Sequence, residues 1–271
     1  TGQFKTVNDG GAPIGTWASG GNLNTARRGY DVGAGTQTAA LMSGGYTTTV
    51  VANAEQYDGS SWTEVGDLNT ARFAAAGSGT TYTAAFLASG LAPSRVTNTE
   101  IWDGSSWTEV NEVNTARNSF GGTGSSTAGL ITSGEIPSVT AKTESWDGTN
   151  WTEVADLNTA GKARVTIGTY TSALAVGGST AAGAPFYAIV EQYDGSSWTE
   201  IADLNTGRGE GAATGTSSLG LAFGGENPSS VAITEFWNGT SWTEVADLGT
   251  AVGNSAGAGT SSAGLSFAGQ A

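Results

Sequence analysis

Apolar residues along this chain fall into short runs closed by glycine, and the runs recur. The stretches AALMSGG, AAFLASG, GLITSG, ALAVGG, GLAFGG and GLSFAG each end in glycine preceded by a small residue. Runs of that length bounded by turn residues fit buried strands. A second kind of run carries an aromatic and a turn: AEQYDG, TEIWDG, TESWDG, VEQYDG and TEFWNG. Each is followed at once by SWTEV or a close variant. Asp-Gly and Asn-Gly are strong tight-turn signals because Gly and Asn accept positive φ without strain, so these two runs predict a hairpin. Before each apolar run lies a small-residue run such as GYDVGAG or SFGGTG. Each copy therefore predicts four short strands.

The copies have a fixed period. Trp17, Trp62, Trp107, Trp151, Trp198 and Trp242 are separated by 45, 45, 44, 47 and 44 residues, and the copies cover essentially the whole chain. The first copy is worn, but WASGGNLNTAR keeps the Trp-to-Leu spacing of WTEVGDLNTAR. Four-stranded units at this spacing read as blades of a β-propeller. The first two strands of each copy are rich in Ala and Gly, as expected where blades converge on an axis. The last two carry Tyr and Trp, as expected where diverging wedges leave room for rings. The final copy supplies only two strands, and the N-terminal GQFKTVNDGG…GTWASGG can supply the other two. The expectation is one all-β domain over 1–271: a six-bladed propeller of four-stranded antiparallel blades. Its closing blade is built from about 1–21 plus 252–271, which removes open strand edges. The N-terminal hairpin is the irregular part, because NDGGAPIGTW has four more residues between Asp and Trp than YDGSSW.

A Gly-Gly after the second strand, an aromatic in the third, a Trp in the fourth and an Arg before the next blade resemble the kelch repeat. The double glycine is complete at Gly44-Gly45, Gly177-Gly178 and Gly224-Gly225. The wording SSWTEV…DLNTAR, with GTQTAAL nearby, is also similar to kelch-like repeat proteins of marine tailed bacteriophages, which are regarded as virion or fibre components. That resemblance implies a virion or extracellular location. Its implied partner is a glycan, a cell-surface protein or another virion subunit.

Composition narrows the chemistry. The net charge is −14, with ten basic and 24 acidic residues, and a field of that sign repels nucleic acid and anionic membranes. Histidine and cysteine are both absent. That removes the commonest general base, the commonest transition-metal ligand and any disulfide. It also excludes a galactose-oxidase-like copper centre. No segment approaches the roughly 20 apolar residues of a membrane span, and no signal-peptide pattern opens the chain. The opening TGQFKT has no methionine, which reads as a processed product or an excised domain. No cofactor is expected. No D-x-D-x-D run gathers oxygens for calcium, so a calcium site would have to be assembled across blades.

Residues repeated in every blade serve folding. This applies to the fourth-strand tryptophans, to Glu55, Glu100, Glu144, Glu191 and Glu235 in the third strand, and to Arg27, Arg72, Arg117 and Arg208. The glutamates read as hydrogen-bond acceptors or cross-strand partners of Thr and Arg. YDGSSW invites comparison with the Asp-box of sialidases, but its Asp-to-Trp spacing is one residue short.

Function, on this reasoning, lies in what is not repeated. The loops after the second strand share almost nothing and carry Tyr46, Arg95, Phe186 and Tyr187. They lie on the same face as the LNTAR connections. The starts of the first strands are singular too: Tyr30 with Asp31, Phe73, Asn118 with Phe120, Lys162 with Arg164, Glu210 and Asn254. These should surround the mouth of the central channel. A rigid scaffold presenting diversified loops is a general design for binding. Unconstrained drift would also diversify loops, although Pro and Tyr at nearly constant loop length favour binding. The expected function is a non-catalytic recognition module. Two alternatives remain. One is a purely structural docking subunit. The other follows from the resemblance: bacterial six-bladed kelch proteins include sialic acid mutarotases, and in such an enzyme Glu210, Arg164 and Asp31 would line the channel mouth.

Overall fold

The computed structural model describes residues 2–7, 14–29, 32–181 and 184–270. Among them the chain forms 24 strands and no helix. β1 (Gly2–Val7) and β2 (Ile14–Ser19) open the chain. The first full unit is β3 (Val32–Thr36), β4 (Ala39–Ser43), β5 (Ala54–Tyr57) and β6 (Trp62–Val65). The second is β7 (Ala76–Thr81), β8 (Ala84–Ala88), β9 (Thr99–Trp102) and β10 (Trp107–Val110). The third comprises β11 (Gly121–Ser125), β12 (Ala128–Thr132), β13 (Thr143–Trp146) and β14 (Trp151–Val154). The fourth is β15 (Val165–Thr169), β16 (Ser172–Val176), β17 (Val190–Tyr193) and β18 (Trp198–Glu200). The fifth is β19 (Ala212–Gly215), β20 (Gly220–Phe223), β21 (Thr234–Trp237) and β22 (Trp242–Glu244), and β23 (Ala256–Thr260) and β24 (Ala263–Phe267) end the series.

Each unit pairs in chain order as an antiparallel meander, an arrangement consistent with a β-propeller. Strands from the two ends of the chain share one sheet, in the order β2-β1-β24-β23. There Gly2 stands opposite Ser266, and Phe4 opposite Trp17. The loop excess noted in the sequence, residues 8–13, lies outside the described residues. Innermost strands of successive units lie against one another, and β23 lies against β3. The approach is so close that β3 and β7 pair in parallel, joining two units into one eight-stranded sheet. Glycine makes this possible: a Cβ on Gly79 of β7 would stand 2.9 Å from that of Ala34 in β3, and β23 comes as close on the other side, where a Cβ on Gly33 would stand 2.1 Å from the Gly257 carbonyl oxygen.

The outer strands fill the widening gaps with rings. Trp62 packs on Tyr57 of its own sheet at 5.1 Å and on Phe267 of the neighbouring one at 5.0 Å. Trp151 meets Trp146 and Phe86 in the same way, and Trp17 meets Phe223. Trp62, Trp107, Trp151, Trp198 and Trp242 are all buried. The recurring tryptophans are therefore core.

The units are tied together by a buried ion pair. Four of the six connections that leave a fourth strand carry Asn, Thr and Arg, and these grip the third-strand glutamate of the next unit. Glu100 is the clearest case. Its Oε2 accepts from the Asn69 N–H at 2.7 Å and from Asn69 Nδ2 at 2.8 Å. Its Oε1 accepts from the Thr70 N–H at 3.3 Å and from Arg72 Nη1 at 2.8 Å. Arg27–Glu55, Arg117–Glu144 and Arg208–Glu235 repeat the pair, and all these side chains are fully or nearly fully buried. The main chain of the same arginine faces the other way. The Arg72 carbonyl accepts the Gly45 N–H of the preceding unit at 2.9 Å. Gly45 has φ +114, and a Cβ there would meet the Arg28 carbonyl oxygen at 2.9 Å. The second glycine of the pair is thus required, whereas Ser89, Ser133 and Ala268 take the first place at φ 53, 63 and 59.

The fourth unit shows how strongly the pair is needed. Gly161 stands where the arginine would be, and Arg164, three residues on, reaches Glu191 at 3.3 Å instead. Its side chain is wholly buried. At the shared sheet both charges are missing together: Val252 takes the arginine place, and Gly2 stands opposite Ser266 where the other third strands place glutamate opposite residues such as Met42.

Removing one partner of a buried pair strands the other charge, at a cost of about 3–5 kcal/mol. We expect Arg72→Met and Glu100→Gln each to lower unfolding free energy by roughly that amount. The double variant should lose less than the sum, and urea titration of all four proteins measures the coupling.

Candidate functional site

Above the Gly-Gly pairs, each unit adds one further antiparallel bridge: Arg28 to Tyr46, Phe73 to Leu91, Asn118 to Glu135, Lys162 to Ser179, Gly209 to Glu226 and Gly253 to Gln270. The chain then turns sharply inward. The turning residue has positive φ in every unit: Gly29 (144), Ala74 (53), Ser119 (57), Ala163 (55), Glu210 (59) and Asn254 (54). A non-glycine residue held there costs roughly 1–3 kcal/mol. In five of the six units the turn aims its N–H at the preceding unit. Ser119 donates to the Ala74 carbonyl, Ala163 to Ser119, Glu210 to Ala163, Asn254 to Glu210 and Gly29 to Asn254, at 2.7 to 3.1 Å. A belt of backbone hydrogen bonds thus runs around one mouth of a cavity of about 500 Å³, walled by the innermost strands.

The side chains carried by this belt differ from unit to unit, and they contact one another around the mouth. Tyr46 packs on Phe73 at 5.1 Å, with the Arg28 guanidinium over its ring at 5.1 Å. Arg95 donates from Nε to Asn118 Oδ1 at 2.6 Å and pairs with Glu135 at 3.1 Å. Lys162 takes the other oxygen of Glu135 at 2.8 Å. Asn254 Nδ2 donates to Glu210 at 2.6 Å and to Glu226 at 3.3 Å. Gln270 bridges Glu226 to Arg28, accepting from the arginine at 2.7 Å.

Within this circuit Glu210 stands apart. It lines the cavity, it is half-buried, and it occupies a left-handed position filled elsewhere by Gly, Ala, Ser or Asn. Burial raises its carboxyl above the ordinary value, and Glu226 pushes the same way, while Asn254, Lys162 and Arg28 pull it down.

The residues singled out in the sequence divide into groups. Tyr46, Phe73, Arg95, Asn118 and Glu210 lie in the circuit. Phe186 and Tyr187 are half-buried in the long loop of the fourth unit. There the Tyr187 ring packs beneath the Arg164 guanidinium at 5.8 Å, and Phe186 bridges to Ser179. Phe120 and Arg164 line the cavity wall while being only 2 % exposed each. The slot they share holds Ala75, Gly211 and Ser255 in other units, and it faces the neighbouring Gly pair: a Cβ on Gly134 would meet that of Phe120 at 2.8 Å. Tyr30 and Asp31 lie outside the described residues. Arg28, Glu135, Glu226 and Gln270 were not expected here. For the last three the signal was the residue directly after each Gly-Gly or small-Gly pair, which reads Tyr, Leu, Glu, Ser, Glu and Gln at positions 46, 91, 135, 179, 226 and 270.

The Asp-Gly hairpins use their carboxylates locally. Asp103 Oδ1 accepts the N–H groups of Ser105 and Ser106 and the Ser105 hydroxyl, all at 2.8 Å. These bonds, that from the Ser106 N–H foremost, hold Asp103 down at about 2. Asp58, Asp147 and Asp194 are depressed in the same way. Among the described residues no group of three Asp or Glu side chains converges to hold a metal ion.

Because the folded state raises the Glu210 value, protonated Glu210 favours folding. That contribution is complete below the ordinary carboxylate range and is lost as pH rises through the raised value. Glu210→Gln keeps the acceptor for Asn254 and removes the charge. We expect its melting temperature to exceed that of the wild type at neutral pH. The gain should vanish as the pH falls below the ordinary carboxylate range, which paired thermal melts across that range will show.

Compared with known proteins, the chain matches no family model and no curated protein.

Proposed function

We propose that this chain is a six-bladed, kelch-like β-propeller closed by its two termini in one blade, and that it acts as a non-catalytic recognition module. Its ligand face is the one bearing the Gly-Gly loops. There it contacts a glycan or a surface protein, as a virion or extracellular component. The observation that carries this reading is the circuit at the cavity mouth. On a scaffold that repeats almost everything, the residues at and beside the belt vary between units, yet their side chains meet across units in two polar groups around a concave opening, one running from Arg28 to Glu210 and one from Arg95 to Lys162. Folding needs only the main-chain part of that belt.

Two features favour recognition over chemistry. The charged groups at the mouth are held by partners, Arg95 and Lys162 by Glu135, Glu210 and Glu226 by Asn254, and Arg28 by Gln270, which suits a preorganised surface for hydroxyls and amides. Arg164, which a sugar-isomerase reading requires at the mouth, is committed to Glu191. Display in many copies would strengthen a weak single site.

A glycan array with the purified protein, run with and without millimolar calcium, tests the proposal. We expect specific binding that is lost on combining Tyr46→Ala with Glu226→Gln. Calcium dependence would reveal a metal bridged across blades. Absence of specific binding, or binding unchanged in the double variant, rejects the glycan reading of this face and leaves protein docking to be tested against virion or cell-surface components.

A further inference from the structure

The opposite mouth of the same cavity carries a different surface. It is built from the hairpins joining first to second strands, whose residues Thr80, Thr169, Thr216, Leu219, Thr260 and Ser261 line the cavity. These hairpins contain no charged residue in any unit: TQTA, TTYTA, SSTA, TYTS, TSSLG and TSSA. Their hydroxyls stand in exposed pairs, Thr81 with Thr83 at 3.2 Å, Thr169 with Thr171 at 3.4 Å and Thr216 with Ser218 at 3.1 Å.

The pairs recur and serve the turns. What does not recur is apolar. Among the described residues three large hydrophobic side chains are exposed, Tyr82 at 36 %, Tyr170 at 44 % and Leu219 at 48 %, and all three sit on these hairpins. Tyr82 and Tyr170 take the central place that Gln37, Ser126, Ser217 and Ser261 hold elsewhere, and Leu219 stands where the other units have Ala or Ser. The hairpin of Tyr82 also contains one residue more than the others, Thr80, and the β7–β8 register shifts between Ser78 and Thr81. Bulges of this kind sit at barrel rims and re-aim a side chain. Exposed apolar side chains on three of the hairpins that rim a cavity, on a chain that buries all its tryptophans but Trp17, mark an interaction site.

We propose that this mouth is a second binding site, for a neutral saccharide. Tyrosine rings offer apolar faces to sugar C–H groups, and the flanking hydroxyl pairs both donate and accept toward sugar hydroxyls. A cavity of about 500 Å³ falls in the range of small-ligand sites. Charge decides against the other ligand classes. No Lys or Arg stands on these hairpins to hold an anion. The neighbouring Asp-Gly turns, Gly104 beside Thr83 and Gly195 beside Thr171, bring ionised Asp103 and Asp194 to the rim. Those carboxylates repel anions, but they lie on the outer hairpins and already accept from their own turns. The hairpins that bear the tyrosines carry no charge of their own.

This site is independent of the loop-face reading, and the two fail separately. Saturation-transfer NMR with maltohexaose, cellohexaose and chitohexaose, each at millimolar concentration, tests it, with oligolysine as the cationic control. We expect at least one hexasaccharide to bind and its affinity to fall by about tenfold or more in Tyr82→Ala/Tyr170→Ala. Tyr46→Ala, at the other mouth, should leave it unchanged. The tyrosines stand on exposed turns, and an unaltered melting temperature shows that the double variant is folded. The proposal is overturned if none of the three sugars binds, if binding survives loss of both tyrosines, or if it follows Tyr46 instead. Tyrosine-dependent binding of oligolysine without sugar binding overturns it in favour of a cationic partner.

Discussion

A carboxylate buried out of water with every acceptor site filled is the joint on which this structure depends. Four third-strand glutamates are held by an Asn and an Arg that arrive from the preceding unit, with a Thr N–H joining them at all but Glu144. The same Arg hands its carbonyl back to the glycine pair of the unit it came from. One residue therefore fixes the spacing of two sheets, by its side chain on one side and its main chain on the other. Burying a lone charge is prohibitively expensive, so the pair has to form whole or be absent whole. The chain does both. Arg164 replaces a missing arginine from three positions away, and the sheet shared by the termini dispenses with both members.

The belt at the cavity mouth follows from this joint. Once the arginine is anchored, the chain must turn inward within two residues to begin the next innermost strand, and only a left-handed residue makes that turn. Small side chains occupy most of these places. Glu210 is the large exception, and its half-buried carboxylate is stabilised by Asn254 of the next unit, which occupies the equivalent turn. Structure and candidate site thus share one set of backbone bonds. The belt sets the diameter of the opening, and the side chains upon it set its chemistry.

Much of this was readable from one chain because repetition supplies its own control. The strands, the Asp-Gly hairpins and the buried tryptophans stood out as what every copy keeps. The third-strand glutamates were legible as acceptors, though not as the partners of arginines from the preceding unit, since that contact crosses between copies. Arg164, displaced by three residues, looks singular in sequence and also fills the recurrent clamp role in space. Phe120 takes the corresponding slot, which holds Ala, Arg, Gly or Ser in other units and lies against the Gly134 backbone here. Tyr82 and Tyr170 were hidden inside the most regular words of the repeat, where a ring between two threonines reads as one more strand residue.

The clamp also bears on how such a chain can grow. In the regular copies any stretch one period long contains one clamp arginine and one clamp glutamate, of the same clamp or of adjacent ones. Copying that stretch in tandem adds both charges at once and leaves no buried ion without a partner. The uncharged joint between the termini escapes the rule from the other side, because it asks nothing of the unit beside it. A gene built in this way can gain or lose whole copies while the charge balance of its interior stays intact, and its loops are then free to diverge one copy at a time.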